Sequence, residues 1–382
     1  MSYRFKLTLL VTMTTALACG FLHHLIAPEI LNFERLHIFL FNLCSGGSLL
    51  LYFTEDQRQI SRQTRLFFIL SLTFALCAFC HWYLPTLILP LILGGIVERI
   101  RITHFGSFSP RTLWSKHESV SRKFHQAALL CLSIGLFLAS PVILNSVYGH
   151  WLTIDKLKLD TFFLGFSFPL SLISMSVIFS LMESKSSKIT IIYKELAFWV
   201  INLGVIIFFL FILAQWFIPQ VVIACTLFLA VVLVLYLYAK EGMRLQQKAF
   251  LTSGILFLLV TSLTGILYIL LAFSPYYTPQ FSLPLLRLHA FTALYGWNLS
   301  GLAVISRHGD FPIQLHSRRV VYLHWFTVLF LCPLGYFFPF VALLAIAFYA
   351  WLLFTLLFNY GPVDSLIRTA EDQVLSRNTT PG

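Results

Sequence analysis

The chain alternates long apolar runs with short polar and basic stretches along almost its whole length. Each run approaches the roughly 20 residues that an α-helix needs to cross a bilayer. We predict an all-α polytopic membrane protein with about twelve transmembrane helices, the fourth being the shortest. The predicted spans are residues 5–22, 36–53, 66–84, 85–98, 125–147, 160–182, 195–217, 219–240, 248–272, 285–306, 320–338 and 339–360.

The basic residues predict how these helices are ordered across the membrane. Lys and Arg precede the first span and follow the second, fourth, sixth, eighth and tenth spans, whereas the alternate loops are poorer in both. Positive charge of this kind is typical of cytoplasmic loops. We therefore expect a single transmembrane domain over residues 1–360 in a bacterial inner membrane, with both termini cytoplasmic and a polar cytoplasmic tail at 361–382.

Two markers recur at intervals of four helices. Aromatic-aromatic-apolar-Pro turns occur at 82–85, 216–219 and 336–339, and an Arg/Lys-Leu-His/Asp phrase heads the second, sixth and tenth spans. Aromatic residues and Pro are common at membrane interfaces, so one occurrence would carry no weight. Three occurrences in register with a second marker predict three pseudo-repeats, at approximately 1–123, 124–247 and 248–360.

The recurring phrase places histidines at matching depths in two helices. The second span begins near Arg35-Leu36-His37 and the tenth near Arg287-Leu288-His289, whereas the sixth has Asp160 at the equivalent place. A strongly polar side chain inside a membrane helix indicates function. Two neutral imidazoles fit the axial positions of a low-spin haem b suited to electron transfer. The alternative is a pair of interfacial histidines bonded to backbone or lipid.

Residues near the histidines fit the same hypothesis. Arg35 and Arg287 are expected to pair with the haem propionates, although both could instead snorkel to the headgroups. Gly46 and Gly47 would let a flat macrocycle or a neighbouring helix approach the backbone of the second span.

A second haem motif lies at the end of the third span. Cys77, Cys80 and His81 match the C-x-x-C-H pattern of covalent c-type haem attachment. The motif is embedded in apolar and aromatic residues, whereas attachment requires an accessible segment. Covalent haem c is therefore the lesser alternative, and His81 is otherwise an interfacial or core histidine, or a hydrogen-bond donor near the haem.

The twelve-helix plan, the three four-helix units and the two histidines resemble subunit I of the haem–copper oxidase and nitric oxide reductase superfamily. The resemblance covers the whole chain as a plan, but its sequence motifs are few. It implies that His37 and His289 bind the low-spin haem iron. It also implies loss of the oxygen-reducing centre. Arg287 stands where the family has the high-spin haem ligand, and no His occurs between Trp151 and Leu288, so no copper is expected.

Composition limits the class of protein to which the chain can belong. The chain has 382 residues, of which 58% are hydrophobic and 11% charged, and this excludes an ordinary soluble domain, which has about a quarter charged residues. The net charge of +11 is explained by the cytoplasmic loops and does not indicate nucleic-acid binding.

The leading functional hypothesis is a membrane b-type cytochrome-like protein with a role in electron transfer, haem or gas handling. It would have no independent oxygen-reducing activity, and its partners would be lipid and a redox protein or other respiratory subunits. The alternatives are a cofactor-free secondary transporter and an accessory subunit of a respiratory complex. Transporters of the major facilitator type repeat as two units of six helices, whereas the markers here repeat as three of four.

Overall fold

The structure is a computed structural model that describes residues 1–27, 30–56, 59–152, 154, 157–182, 187–243, 245, 247–274, 277–308, 310, 315 and 317–360. Within these ranges every regular element is a helix. The predicted tail at 361–382 lies outside the described residues.

The helices follow one another as antiparallel neighbours, and we number them α1 to α12. They are α1 (Tyr3–Phe21), α2 (Phe33–Glu55), α3 (Arg62–Phe79), α4 (Tyr83–Phe105), α5 (Val120–Gly149), α6 (Leu157–Phe162, Phe163–Ser167 and Phe168–Ser180), α7 (Lys188–Leu213), α8 (Phe217–Glu241), α9 (Lys248–Ala272), α10 (Pro279–Phe291, Thr292–Asn298 and Leu299–Ser306), α11 (Arg318–Phe337) and α12 (Pro339–Phe358).

Eleven helices of the described chain are long and apolar enough to cross a membrane, which confirms a multi-pass membrane architecture. The exception is α10, whose three segments run without a break but include His289, Asn298 and Ser300. The fourth helix is longer than the predicted 85–98. It continues to Phe105 because Arg101, which is buried, pairs with Glu98 one turn earlier and donates to the Phe108 carbonyl oxygen.

Helices α2, α6 and α10 form the centre of the bundle. The most apolar stretch of α2 is 89% buried and that of α6 is 72% buried, against 28–56% for the other spanning helices. Small residues allow the close approach of these helices. A Cβ on Gly301 of α10 would lie 1.9 Å from the Ser174 hydroxyl of α6, and a Cβ on Gly46 of α2 would lie 2.5 Å from Leu170.

Each central helix contains a π-helical stretch. The stretches are Phe39–Gly47 in α2, Phe163–Ser167 in α6 and Thr292–Asn298 in α10, and others lie in α5 and α11. In α2 and α10 the π-helical stretch begins two and three residues after His37 and His289. The i→i+5 hydrogen bonds of a π-helix are rare and occur frequently at functional sites.

The two ends of the bundle are distinct. At one end, which we call the termini end, the Met1 amino group and Lys6 both lie next to Asp310, and Arg307 donates to the Leu356 carbonyl oxygen at 3.0 Å. The start of α1, the end of α10 and the last turn of α12 therefore meet there. His37 and His289 lie near the opposite end, which we call the far end.

Candidate functional site: two histidines held by backbone carbonyls

His37 is buried near the start of α2 and faces α1. Its Nδ1 lies 2.8 Å from the Ala16 carbonyl oxygen and 3.0 Å from the Tyr295 hydroxyl of α10. The ring packs on the backbone of α1, where a Cβ on Gly20 would lie only 2.9 Å from Nδ1. Glycine at this position therefore makes room for the imidazole.

His289 of α10 has the same type of environment against α9. Its Nδ1 lies 2.9 Å from the Thr261 carbonyl oxygen, and a Cβ on Gly265 would lie 3.1 Å from its Cε1. The Thr264 hydroxyl is a more distant neighbour, at 3.4 Å. In both cases the carbonyl belongs to the residue four positions before the glycine on the preceding helix, so the two histidines are presented in the same way.

This arrangement assigns the protons of both rings. A carbonyl oxygen only accepts hydrogen bonds, so each Nδ1 must carry the proton and donate it. In a neutral imidazole the lone pair then lies on Nε2. Among the described residues, neither Nε2 atom has a hydrogen-bond partner. A ring held through Nδ1–H by a backbone carbonyl, with Nε2 free, is the usual form of a histidine that binds a metal.

In the predicted second unit, the described residues do not show this arrangement, and the side chain of Asp160 is not among them. Gly135 of α5 meets the backbone of Gly165 in α6, where a Cβ would lie 2.3 Å from the Gly165 Cα atom. Four residues before Gly135, the Cys131 thiol donates to the Leu164 carbonyl oxygen. Because the two backbones are in direct contact, no ring can be inserted between α5 and α6 at this place. The division into three units stays a prediction.

The structure separates the two arginines of the predicted site. Arg287 is bonded to Glu34 at the start of α2, and its guanidinium lies 4.2 Å from the ring centre of Tyr336. Arg35 instead lines a cavity among α2 to α6. Two positions along an α-helix correspond to about 200° of rotation, so Arg35 and His37 lie on opposite faces of α2. Of the two arginines, Arg287 is therefore the one that links the two histidine-bearing helices, α2 and α10, at the far end.

Gly46 and Gly47 contact neighbouring helices. A Cβ on Gly46 would meet Leu170 of α6, and one on Gly47 would lie 3.0 Å from Phe67 of α3. Of the two roles predicted for these glycines, the structure shows the approach of a neighbouring helix. The glycines next to the histidine rings are Gly20 and Gly265.

The C-x-x-C-H motif lies at the far end of α3 and in the turn that follows. Cys77 is buried, Cys80 is exposed, and all seven cysteines of the chain are free thiols. His81 is exposed, and its Nδ1 lies 3.1 Å from the Tyr83 hydroxyl. Covalent attachment of haem would require the Cys77 thiol to leave the bundle.

Aromatic rings occupy the region where α1, α2 and α10 meet. The rings of Phe21 and Phe291 are 6.0 Å apart, and the ring of Tyr295 lies 5.5 Å from His37 and 4.9 Å from Tyr349. A small cavity lies nearby at the far end, bordered by Gly20, His23 and Glu34. Its lining does not include His37 or His289, so a flat ligand between the histidines would have to displace aromatic side chains.

Three partners of the histidines could not be found from the sequence: Ala16, Thr261 and Tyr295. Two of them act through backbone carbonyls, which every residue type carries, so side-chain identity gives no signal. Comparisons with protein-family models, with curated proteins and with solved structures find no match.

Proposed function

We propose that this protein is a membrane b-type cytochrome-like protein that binds a low-spin haem through Nε2 of His37 and Nε2 of His289. One observation carries the proposal. Both rings donate their Nδ1 proton to a backbone carbonyl of the preceding helix, so both have Nε2 free to bind a metal. The shared geometry on two separate helices favours one shared ligand over two independent interfacial histidines.

The residues present fit haem in their donor chemistry. The two neutral imidazoles of His37 and His289 would hold the haem iron, and the bound group would supply one-electron transfer. The carbonyls of Ala16 and Thr261 hold the rings in a fixed orientation and increase their basicity. The Tyr295 hydroxyl lies beside the same His37 proton as a second acceptor.

Arg287 is the cation available to a propionate at the far end. It is mostly buried, whereas its partner Glu34 is 50% exposed. A propionate could replace the Glu34 carboxylate without moving the guanidinium, because a carboxylate binds an arginine in the same way in both cases. Arg35 lies in a different cavity and takes no part in this proposal.

Oxygen reduction does not belong to the proposed function. In the family that the sequence resembles, α6 and α7 would supply the metal ligands of the oxygen-reducing centre, and here they carry no histidine. The protein would pass electrons to or from a redox partner, or act as a haem-containing accessory subunit of a respiratory complex, in a bacterial inner membrane.

The test is an optical difference spectrum of the purified protein after expression with excess haem. We expect a reduced-minus-oxidised b-type spectrum and its loss in His37→Ala and in His289→Ala. His81→Ala is the matched control, since this exposed histidine should leave the spectrum unchanged. A colourless protein that is folded and monodisperse contradicts the proposal. Haem that survives denaturing electrophoresis would instead assign it to Cys77 and Cys80.

A further inference from the structure

A second cavity lies at the far end among α2, α3, α4, α5 and α6. The cavity lies on the face of α2 opposite to His37, because Arg35 lines it and His37 faces α1. It is thus independent of the proposed haem site.

The lining is polar mainly toward the far end and aromatic deeper in the bundle, although Val147 lies near the far end and Thr86 lies deeper. Arg35, Tyr83 and Ser146 are close to the far-end termini of their helices. About one turn further in, Phe39 packs edge-on against Phe74 and Phe162, with ring centres 5.2 and 5.4 Å apart. A ligand that matches this gradient has a polar head and an apolar body.

The charge of the lining selects the sign of the head group. Among the described residues that line the cavity, Arg35 is the one that carries a charge. Within the described side chains, the guanidinium of Arg35 has no ion pair and no hydrogen bond, in contrast to Arg287, which pairs with Glu34. An arginine with five donors facing a cavity is suited to a carboxylate or a phosphate.

We propose that this cavity binds a single-chain anionic amphiphile. Its carboxylate or phosphate head would pair with Arg35, and its apolar chain would lie against Phe39, Phe74 and Phe162. The same chemistry is present in a free fatty acid and in an anionic lysophospholipid. The ligand's apolar chain would reach the cavity from the bilayer.

The experiment measures ligand binding to the purified full chain in phosphatidylcholine nanodiscs by native mass spectrometry. Laurate, dodecyl phosphate, dodecanol and dodecyltrimethylammonium each have a linear chain of twelve carbons, counting the carboxylate carbon of laurate, and they differ in the head. We expect laurate or dodecyl phosphate to bind roughly tenfold more tightly than dodecanol, from the charge-assisted hydrogen bonds to Arg35. Dodecyltrimethylammonium should bind more weakly than dodecanol.

Variants assign the preference to this cavity. Arg35→Gln should remove the difference between laurate and dodecanol, Arg35→Lys should keep part of it, and Ala78→Phe should weaken both ligands by filling the cavity. Arg62→Gln is the control, an exposed arginine at the other end of α3. Equal binding of laurate and dodecanol to the parent protein, or an unchanged preference in Arg35→Gln, overturns the proposal. A comparison of laurate with lysophosphatidylglycerol identifies the source of the head group.

Discussion

At the residue scale, the chemistry of His37 and His289 depends on which nitrogen carries the proton. The Ala16 and Thr261 carbonyls fix it on Nδ1. The sequence indicates the two histidines through the repeated Arg-Leu-His phrase, and it predicts their depth from the start of each span. It does not indicate the glycines that admit the rings, because Gly20 and Gly265 occur on other helices and match no motif. Which glycine lies next to each ring depends on the register between neighbouring helices, and packing determines that register.

The first prediction concerns these two glycines. Gly20→Ala should destabilise the protein by about 1–3 kcal/mol, because its Cβ would lie 2.9 Å from His37 Nδ1 in a filled space. Gly265→Ala should cost less, since the nearest atom of His289 is 3.1 Å away. Thermal unfolding in detergent measures both effects. In haem-loaded protein, each change should increase the high-spin fraction of the optical spectrum.

Gly95→Ala is the matched control, since nothing lies within 4 Å of its Cβ position on the exposed face of α4. It should be neutral or should stabilise the helix by roughly 0.5–1 kcal/mol. If Gly20→Ala behaves like Gly95→Ala, the close packing of His37 on α1 is wrong.

At the element scale, the helices were predictable from apolar run length, and their exact ends were not. The sequence predicts α4 as short because Glu98, Arg99 and Arg101 interrupt the apolar run, but the Glu98–Arg101 ion pair allows the helix to continue inside the bundle. The π-helical stretches of α2, α6 and α10 have no counterpart in the apolar pattern.

The second prediction concerns the contact between α5 and α6. Gly135→Ala should destabilise the protein by about 3 kcal/mol or more, because its Cβ would overlap the Gly165 backbone, which cannot rotate away. Gly94→Ala is the matched comparison, since its Cβ would meet only the Phe137 ring, at 3.0 Å. That ring can shift, so the cost should be smaller. Equal unfolding temperatures for the two variants would contradict the direct backbone contact.

At the scale of the whole molecule, the membrane class follows from composition and run length, and the structure confirms many apolar spanning helices. The convergence of α2, α6 and α10 at the centre agrees with their shared phrase, although the three-unit division remains a prediction. The side of the membrane on which each end lies also remains a prediction from the charge of the loops. What the sequence could not predict was that Arg35 and Arg287 would separate, because that depends on the rotation of α2 and α10 in the bundle.

The third prediction tests membrane orientation. A membrane-impermeant maleimide should label the exposed Cys80, at the far end, from the periplasmic side of cells with a permeabilised outer membrane. Lys116→Cys in a Cys80→Ser background should be labelled only after lysis, since residue 116 lies in an exposed loop at the termini end. Cys80→Ser alone gives the background signal. The reverse labelling pattern would place both termini outside.

The fourth prediction concerns Asp310, which joins Lys6 of α1 to Arg307 at the end of α10. Asp310→Asn should cost about 3 kcal/mol of folding free energy, because it leaves the fully buried Arg307 side chain without its counter-ion. Asp56→Asn is the control, since that carboxylate is 83% exposed and should contribute little. Chemical unfolding of the three proteins measures the difference.

The pH dependence of this effect has a definite sign. Burial raises the pKa of the Asp310 carboxyl, but Lys6, the chain amino group and Arg307 outweigh burial, and the pKa lies below its ordinary value. The stabilisation is therefore fully present above the pKa of an unfolded carboxyl and is lost as the pH falls through the lowered folded value. The gap between parent and Asp310→Asn should stay constant from about pH 7 to pH 5. A gap that closes within this range would contradict the assignment.

The measurement that tests the central claim most directly is a low-temperature electron paramagnetic resonance spectrum of the oxidised, haem-loaded protein. Axial binding by His37 and His289 predicts a rhombic low-spin signal, little or no reaction of the reduced protein with carbon monoxide, and loss of that signal when either histidine is replaced by alanine. An axial high-spin signal in the parent protein, or a folded protein that takes up no haem, would contradict the bis-histidine site.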